Sequence, residues 1–224
     1  MSHPVGAMML QSSNAQAMLA VDEASGASEA LSAIRREARR LQNLITRLRN
    51  LCRAEPLCIE EIDLLAVLED TRVLLLPQLQ LARVELVQEA ASVRVSVDAE
   101  RAVLSIANIV FNAIDAMEGQ PRKRVDIRVT TCDSFARVHV RDTGPGLTAA
   151  QFAHMFEPFY TTKPPGKGLG LGLALSVKSV MSMGGRIEAA NHPEGGAVFT
   201  VCLPQVRAHE GVQPVEAPGL HPVP

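Results

Sequence analysis

The chain has 224 residues, of which 47% are hydrophobic and 21% charged, the composition of a folded globular protein rather than a disordered or collagen-like one. Its 22 basic and 24 acidic side chains leave a net charge of −2, so no overall positive field gathers nucleic acid or an anionic membrane, and any anion has to be held locally. Cys52, Cys58, Cys132 and Cys202 show no CxxC spacing, and the apolar runs are too short for a signal peptide or a spanning helix, which together point to a reducing cytoplasm.

In chain order, residues 4–21 read as an apolar helix, and 22–28, with Gly26, as a short connection suited to an antiparallel helix pair. Leu31, Ile34, Ala38, Leu41, Ile45, Leu48 and Cys52 then follow at alternating three- and four-residue steps, the seam of a coiled coil. Arg35, Arg36, Glu37, Arg39, Arg40, Arg47 and Arg49 form its solvated face. Residues 1–55 are therefore expected to be a helical hairpin. Two such hairpins from a homodimer would bury the seam as a four-helix bundle, and packing on the rest of the same chain is the alternative.

From residue 56 to 204 the pattern is that of a mixed domain. It predicts a helix over 64–76 and short strands over 83–88 and 93–97, then a helix from an Asp98 cap to about Met117, stopped by Gly119 and Pro121. An antiparallel strand pair over 124–130 and 136–142 follows. Residues 143–170, rich in Gly, Pro and Thr, are longer than an ordinary loop and so are expected to be functional. A helix over 171–183 and a hairpin of 186–190 with 197–203 complete the domain. The tail from 205 to 224, with four prolines, is expected to be disordered.

Four segments carry chemistry. In Asn108-Ile-Val-Phe-Asn112-Ala-Ile-Asp115, spacings of four and seven put Asn108, Asn112 and Asp115 on one helical face while Ile109, Val110 and Ile114 meet the core. An amide oxygen suits Mg²⁺, although an asparagine on an apolar helix is also read simply as a satisfied buried polar group. Asp142-Thr-Gly144-Pro-Gly146 closes a strand: its carboxylate can accept from an exocyclic amine, and its glycines allow close backbone approach, but the same letters make an ordinary turn. The third segment is Phe156-Glu-Pro-Phe-Tyr-Thr161-Thr162-Lys163. The fourth, Gly166-Lys-Gly168-Leu169-Gly170-Leu171-Gly172-Leu, leads glycines at alternate positions into a helix, leaving N–H groups for phosphate at its positive end. Lys163 or Lys167 could add charge there; a tightly packed turn is the plainer alternative.

In their order and spacing these segments resemble the N, G1, F and G2 boxes of bacterial sensor histidine kinases, within the ATP-binding family shared with gyrase and Hsp90. FEPFYTTKPPGKGLGLGLALS and GGRIEAANHPEGGAVFTVCLP resemble the nitrogen-regulatory and dicarboxylate-sensing branch. The resemblance implies an α+β protein, a dimerisation hairpin followed by a two-layer α/β sandwich, with ATP under a lid formed by 143–170. It implies that Asn112 ligates Mg²⁺ and that Asn108 and Asp115 flank the phosphates. Asp142 would hold the adenine amine, with Gly144 and Gly146 at the base. Gly168, Gly170 and Gly172 would face the phosphates, and Thr161, Thr162, Lys163, Leu169 and Leu171 complete the expected ATP-binding set. Gyrase-like relatives have a water-activating glutamate at the place of Asn108, and an amide cannot act as a general base. Phosphoryl transfer to a protein histidine, and onward to a response regulator receiver domain, is therefore expected over hydrolysis. The alternative is a kinase-derived dimeric module that binds ATP without a phosphoacceptor.

Two departures from the family stand out. Ala197 replaces a threonine often seen in the final G-x-G-T-x-F segment. At the amino terminus, Pro4-Val-Gly-Ala-Met-Met-Leu resembles text that in the family begins just after the phosphoacceptor histidine, so that segment is expected to be missing. His3, directly before Pro4 and without an acidic neighbour, is the one candidate acceptor and a poor one. The remaining histidines have plain settings: His139 in a strand, His154 in the lid, His192 in a turn, and His209 and His221 in the tail.

Overall fold

A computed structural model of the chain describes residues 56–164 and 169–206, with Leu31 and Ile34 as isolated helical positions. The expected hairpin as a whole, with His3, and the chain from 207 onward lie outside the described residues, as do 165–168 with Gly168.

The described elements run β1 (Glu60–Asp63), α1 (Leu64–Ala82), β2 (Glu85–Glu89), β3 (Arg94–Val97), α2 (Ala99–Ala116), β4 (Arg124–Cys132), β5 (Phe135–Asp142), α3 (Ala149–His154), α4 (Gly172–Ser182), β6 (Arg186–Asn191) and β7 (Ala197–Pro204). Five strands form one sheet in the order β2-β4-β5-β7-β6. β2 pairs parallel with β4, and the other neighbours are antiparallel. β1 and β3 make a separate antiparallel pair. Helices on a mixed sheet give the two-layer α/β sandwich expected.

Three of the four described helices, all but the one that begins at Gly172, start where a side chain takes up orphan N–H groups. Asp63 accepts from the Leu65 N–H at 2.9 Å and opens α1, and Asp98 accepts from that of Arg101 at 3.1 Å and opens α2. Helix α1 was expected to stop at residue 76, yet it runs through Pro77 to Ala82. Pro77 is exposed, so the hydrogen bond it forfeits lies on the solvent side. Leu75 and Leu79, 0% and 5% exposed, anchor the helix on either side of it. Arg83 then ends the helix in the left-handed conformation, φ 54°.

Helix α2 packs between α1 and α4 over the sheet. Its buried stripe includes Ile106, Ile109 and Val110, all at 0% exposure, each contributing about 1.5–3 kcal/mol by leaving water. On β5 every second residue is buried: Ala136, Val138, Val140 and Asp142. The pleat therefore turns Asp142 inward, toward the helix layer, although it is a carboxylate. His139 lies on the opposite face between the Thr130 and Thr200 hydroxyls at 2.8 and 3.0 Å, and burial pushes its pKa below the ordinary histidine value.

Two elements differ from expectation by their presence. The acidic stretch Glu60–Asp63 gives no strand signal of its own and is extended because β3 pairs with it. Helix α3 lies inside the 143–170 stretch, opened by a capping box in which Thr148 and Gln151 satisfy one another's backbone N–H groups. Pairing also runs two residues past the expected domain end: the Gln205 N–H donates to the Ser134 carbonyl at 2.8 Å and that of Val206 to the Arg94 carbonyl at 2.9 Å. Among the described residues no helix is long and apolar enough to cross a membrane.

Candidate nucleotide site

The polar residues of α2 share one face and meet partners from α4 and the lid. Asn108 donates its amide N–H to Ser176 Oγ at 3.3 Å, and Ser176 in turn donates to the Gly172 carbonyl at 3.0 Å. This chain ties α2 to the first turn of α4. A side chain at Gly172 would begin 3.8 Å from Asn108 Oδ1, so the glycine keeps the space before that amide open. Along the same face, the Lys163 ammonium donates to Asn112 Oδ1 at 3.2 Å and pairs with the Asp115 carboxylate.

Asp142 is 3% exposed, and its Oδ1 accepts from the backbone N–H groups of Gly144 at 2.8 Å and Ala197 at 3.2 Å. Both bonds fall on one oxygen, and no described residue donates to Oδ2. Burial pushes the carboxyl above the ordinary aspartate range, the two N–H groups pulling the other way. An inward acid with one fixed oxygen and one unengaged oxygen is suited to accept from an amine.

Two glycines, Gly144 beside Asp142 and Gly170 beside Tyr160, admit nothing larger. A Cβ on Gly144 would stand 2.9 Å from Asp142 Oδ1, and one on Gly170, at φ +65°, 2.3 Å from the Tyr160 carbonyl oxygen. The Gly170 carbonyl also accepts from the Phe159 N–H at 2.9 Å, so the end of the third segment is fastened to the fourth.

Asn108 meets Gly172 through Ser176 and Lys163 joins Asn112 to Asp115, while Asp142 and Gly144 lie beside the end of the same helix, where a Cβ on Gly144 would stand 3.4 Å from the Ala116 carbonyl oxygen. Other expected residues contribute differently. Thr161 and Thr162 are exposed, and the Thr161 hydroxyl accepts from the Lys163 N–H at 3.2 Å, shaping a turn. Leu171 is 0% exposed, so its side chain belongs to the core; Leu169 is half-buried. Ser176, Asn191 and Gly196 were not anticipated. Gly196 has φ +85°, and a Cβ there would lie 1.9 Å from the Asp142 carbonyl oxygen; the Gly195-Gly196 pair was the one sequence signal for it.

A groove of about 420 Å³ lies on the opposite sheet face. Its Arg124, Arg128 and Arg141 are paired with Asp126, Glu89 and Glu194, and none of the four segments reaches it.

Residues 97–207 match the family described as histidine kinase-, DNA gyrase B-, and HSP90-like ATPase. The chain is similar to the C4-dicarboxylate transport sensor protein DctB of Pseudomonas aeruginosa, 31% identical over 206 residues covering 91% of this chain and 34% of DctB. To the signal transduction histidine-protein kinase AtoS of Escherichia coli it is 31% identical over 178 residues, 79% of this chain and 29% of AtoS. It spans about a third of the length of these relatives. Among solved structures, the catalytic domain of histidine kinase ThkA superposes with a TM-score of 0.59 at 27% identity, covering 66% of this chain and 95% of that one. ThkA in complex with response regulator protein TrrA gives a TM-score of 0.71 at 22% identity, covering 91% of this chain and 59% of that one, a likeness of fold.

Proposed function

Because residues 97–207 match the histidine kinase-, DNA gyrase B- and HSP90-like ATPase family, within a chain similar to a transport sensor protein and a signal transduction histidine-protein kinase, we propose that it is the dimerisation and catalytic portion of a protein histidine kinase. It binds Mg·ATP, passes the γ-phosphoryl group to a histidine on a hairpin helix and thence to a response regulator receiver domain. It acts in the cytoplasm, without contact to nucleic acid or membrane.

The observation that carries this reading is the single polar face on which Asn108, Asn112, Asp115 and Lys163 meet. Asn112 and Asp115 already hold a cation, the Lys163 ammonium, and their oxygens are hard donors of the kind Mg²⁺ takes. They fit that ion as ligand and flanking charge, and the ion would neutralise charge on the transferring phosphoryl group. Lys163 would then exchange the Asn112 oxygen for phosphate oxygens. Asp142 would accept from the adenine amine through Oδ2, and Gly170 and Gly172 would leave N–H groups for phosphates at the start of α4. Asn108 directs its N–H to Ser176 and offers no proton acceptor strong enough to activate water, which favours transfer over hydrolysis.

Incubation with γ-labelled ATP tests this reading. An acid-labile label should appear on a histidine, either His3 or one on a hairpin supplied in trans, and Asn112→Ala should remove it together with calorimetric Mg·ATP binding. Steady phosphate release with no histidine label would instead indicate an ATPase. The seam from Leu31 to Cys52 is the proposed homodimer contact. Leu41→Asp combined with Leu48→Asp should turn dimers into monomers in light scattering, and a wild-type chain already monomeric at tens of micromolar excludes the bundle.

A further inference from the structure

The segment from Asp142 to Leu147 is gripped at both ends by one rung of the β6–β7 ladder. Asn191 and Ala197 are register partners at the mouth of that hairpin. The Ala197 N–H donates to Asp142 Oδ1 at 3.2 Å. Asn191 uses both ends of its amide on a single residue at the other end of the loop: Oδ1 accepts from the Leu147 N–H at 2.7 Å, and Nδ2 donates to the Leu147 carbonyl at 2.8 Å. The loop is shaped to receive that amide, since Gly146 sits at φ +78° and a Cβ there would come within 2.9 Å of Asn191 Oδ1. Leu147 is also the last residue before Thr148, the cap that opens α3.

A paired side-chain amide on an exposed strand end contributes little to a hydrophobic core, so global stability does not explain this geometry. What it fixes is the path of the backbone between the buried acid and the start of the lid. The hairpin turn behind it is itself closed by the His192 N–H on the Gly196 carbonyl and the Gly195 N–H on the His192 carbonyl, both at 2.9 Å. The clamp is therefore seated on a rigid support.

We propose that Asn191 is a positioning residue for base discrimination: by fastening Leu147 it holds the Asp142–Leu147 loop where Asp142 can tell an adenine amine from a carbonyl. The proposal rests on the reading that Asp142 accepts from that amine. It separates two jobs within the site, since Asn191 has no part in holding Lys163, Asn112 or Asp115.

The test is the ratio of ADP to IDP affinity, measured by calorimetry on the full chain. IDP differs from ADP by a carbonyl in place of the exocyclic amine, and a ratio does not depend on the fraction of protein that is active. Wild type should prefer ADP, Asp142→Ala should bring the ratio close to one, and Asn191→Ala should lower it at least about fivefold, the loss of two neutral hydrogen bonds that orient rather than touch the base. Asn191→Asp can still accept from Leu147 but has no hydrogen to give its carbonyl, and should fall in between. If Asn191→Ala weakens ADP and IDP equally, or leaves both unchanged, while Asp142→Ala collapses the ratio, the clamp is overturned and the role of Asp142 stands. A wild-type ratio near one, or one that Asp142→Ala leaves intact, overturns the Asp142 reading and the clamp with it.

Discussion

Gly196→Ala should lower unfolding free energy by about 3–5 kcal/mol, since a backbone conformation that alanine resists is combined with an overlap no rotamer can relieve. The added Cβ would stand 1.9 Å from the Asp142 carbonyl oxygen and 3.2 Å from its Oδ1, at φ +85°. The nearer neighbour is backbone and has no rotamer to change, so β5 and β7 would have to separate at the rung where the Ala197 N–H reaches Asp142. Denaturant titration reads the stability loss, and nucleotide affinity should fall along with it. A variant with wild-type stability would mean that the hairpin yields far more easily than its hydrogen bonds suggest. Gly195→Ala is the matched control: it shares the positive φ, +99°, but a Cβ there meets nothing within 4 Å.

Asp142→Asn should separate stability from binding. The Asp142 carboxyl titrates above its ordinary range in the folded protein because burial disfavours its charge. The folded state therefore keeps a proton that the unfolded chain has released, so stability falls as pH rises from the unfolded pKa through the folded one, and the penalty is complete above the latter. An asparagine removes that penalty and can still accept from Gly144 and Ala197 through its amide oxygen. The variant should be at least as stable as wild type at pH 7, losing the extra pH dependence just above the ordinary aspartate pKa. Its amide N–H₂ cannot accept from an amine, so ADP affinity should drop about 10- to 100-fold, the worth of a hydrogen bond to a charged group. Unchanged affinity, or a less stable variant at pH 7, would contradict this account.

What the sequence made legible, and what it hid, divides along the range of the interactions. Asp98, the 3.6-residue stripe of α2 and the alternation of β4 and β5 are local patterns, and the folded chain follows them closely. The same periodicity grouped Asn108, Asn112 and Asp115 before any fold was known. The contacts of Gly196 and Asn191 were hidden for the opposite reason: their partners, Asp142 and Leu147, lie more than forty residues away, and only sheet pairing brings them together. Strand β1 was hidden likewise, because Glu60–Asp63 becomes a strand only through β3. Helix α3 had a local signal in Thr148 and Gln151, but the surrounding Gly and Pro content of the lid masked six helical residues. Pro77 misled in the other direction, since its cost is small where the missing bond would face water.

The place of β7 has a consequence for how the polypeptide acquires competence as it leaves the ribosome. The last of the described strands is inserted between β5 and β6 rather than added at an edge, and its end reaches back to β3 through the Val95 and Gln205 bridge. The sheet cannot close on a nascent chain that stops at β6, however long the pause. Such long-range closure is the slow step in folding. One of the two N–H groups that hold the buried acid belongs to the first residue of that same strand. A chain released early would therefore carry every signature on α2 and in the lid but leave the acid on an unclosed sheet without its Ala197 contact, so ribosomal products that end before β7 should compete poorly for nucleotide.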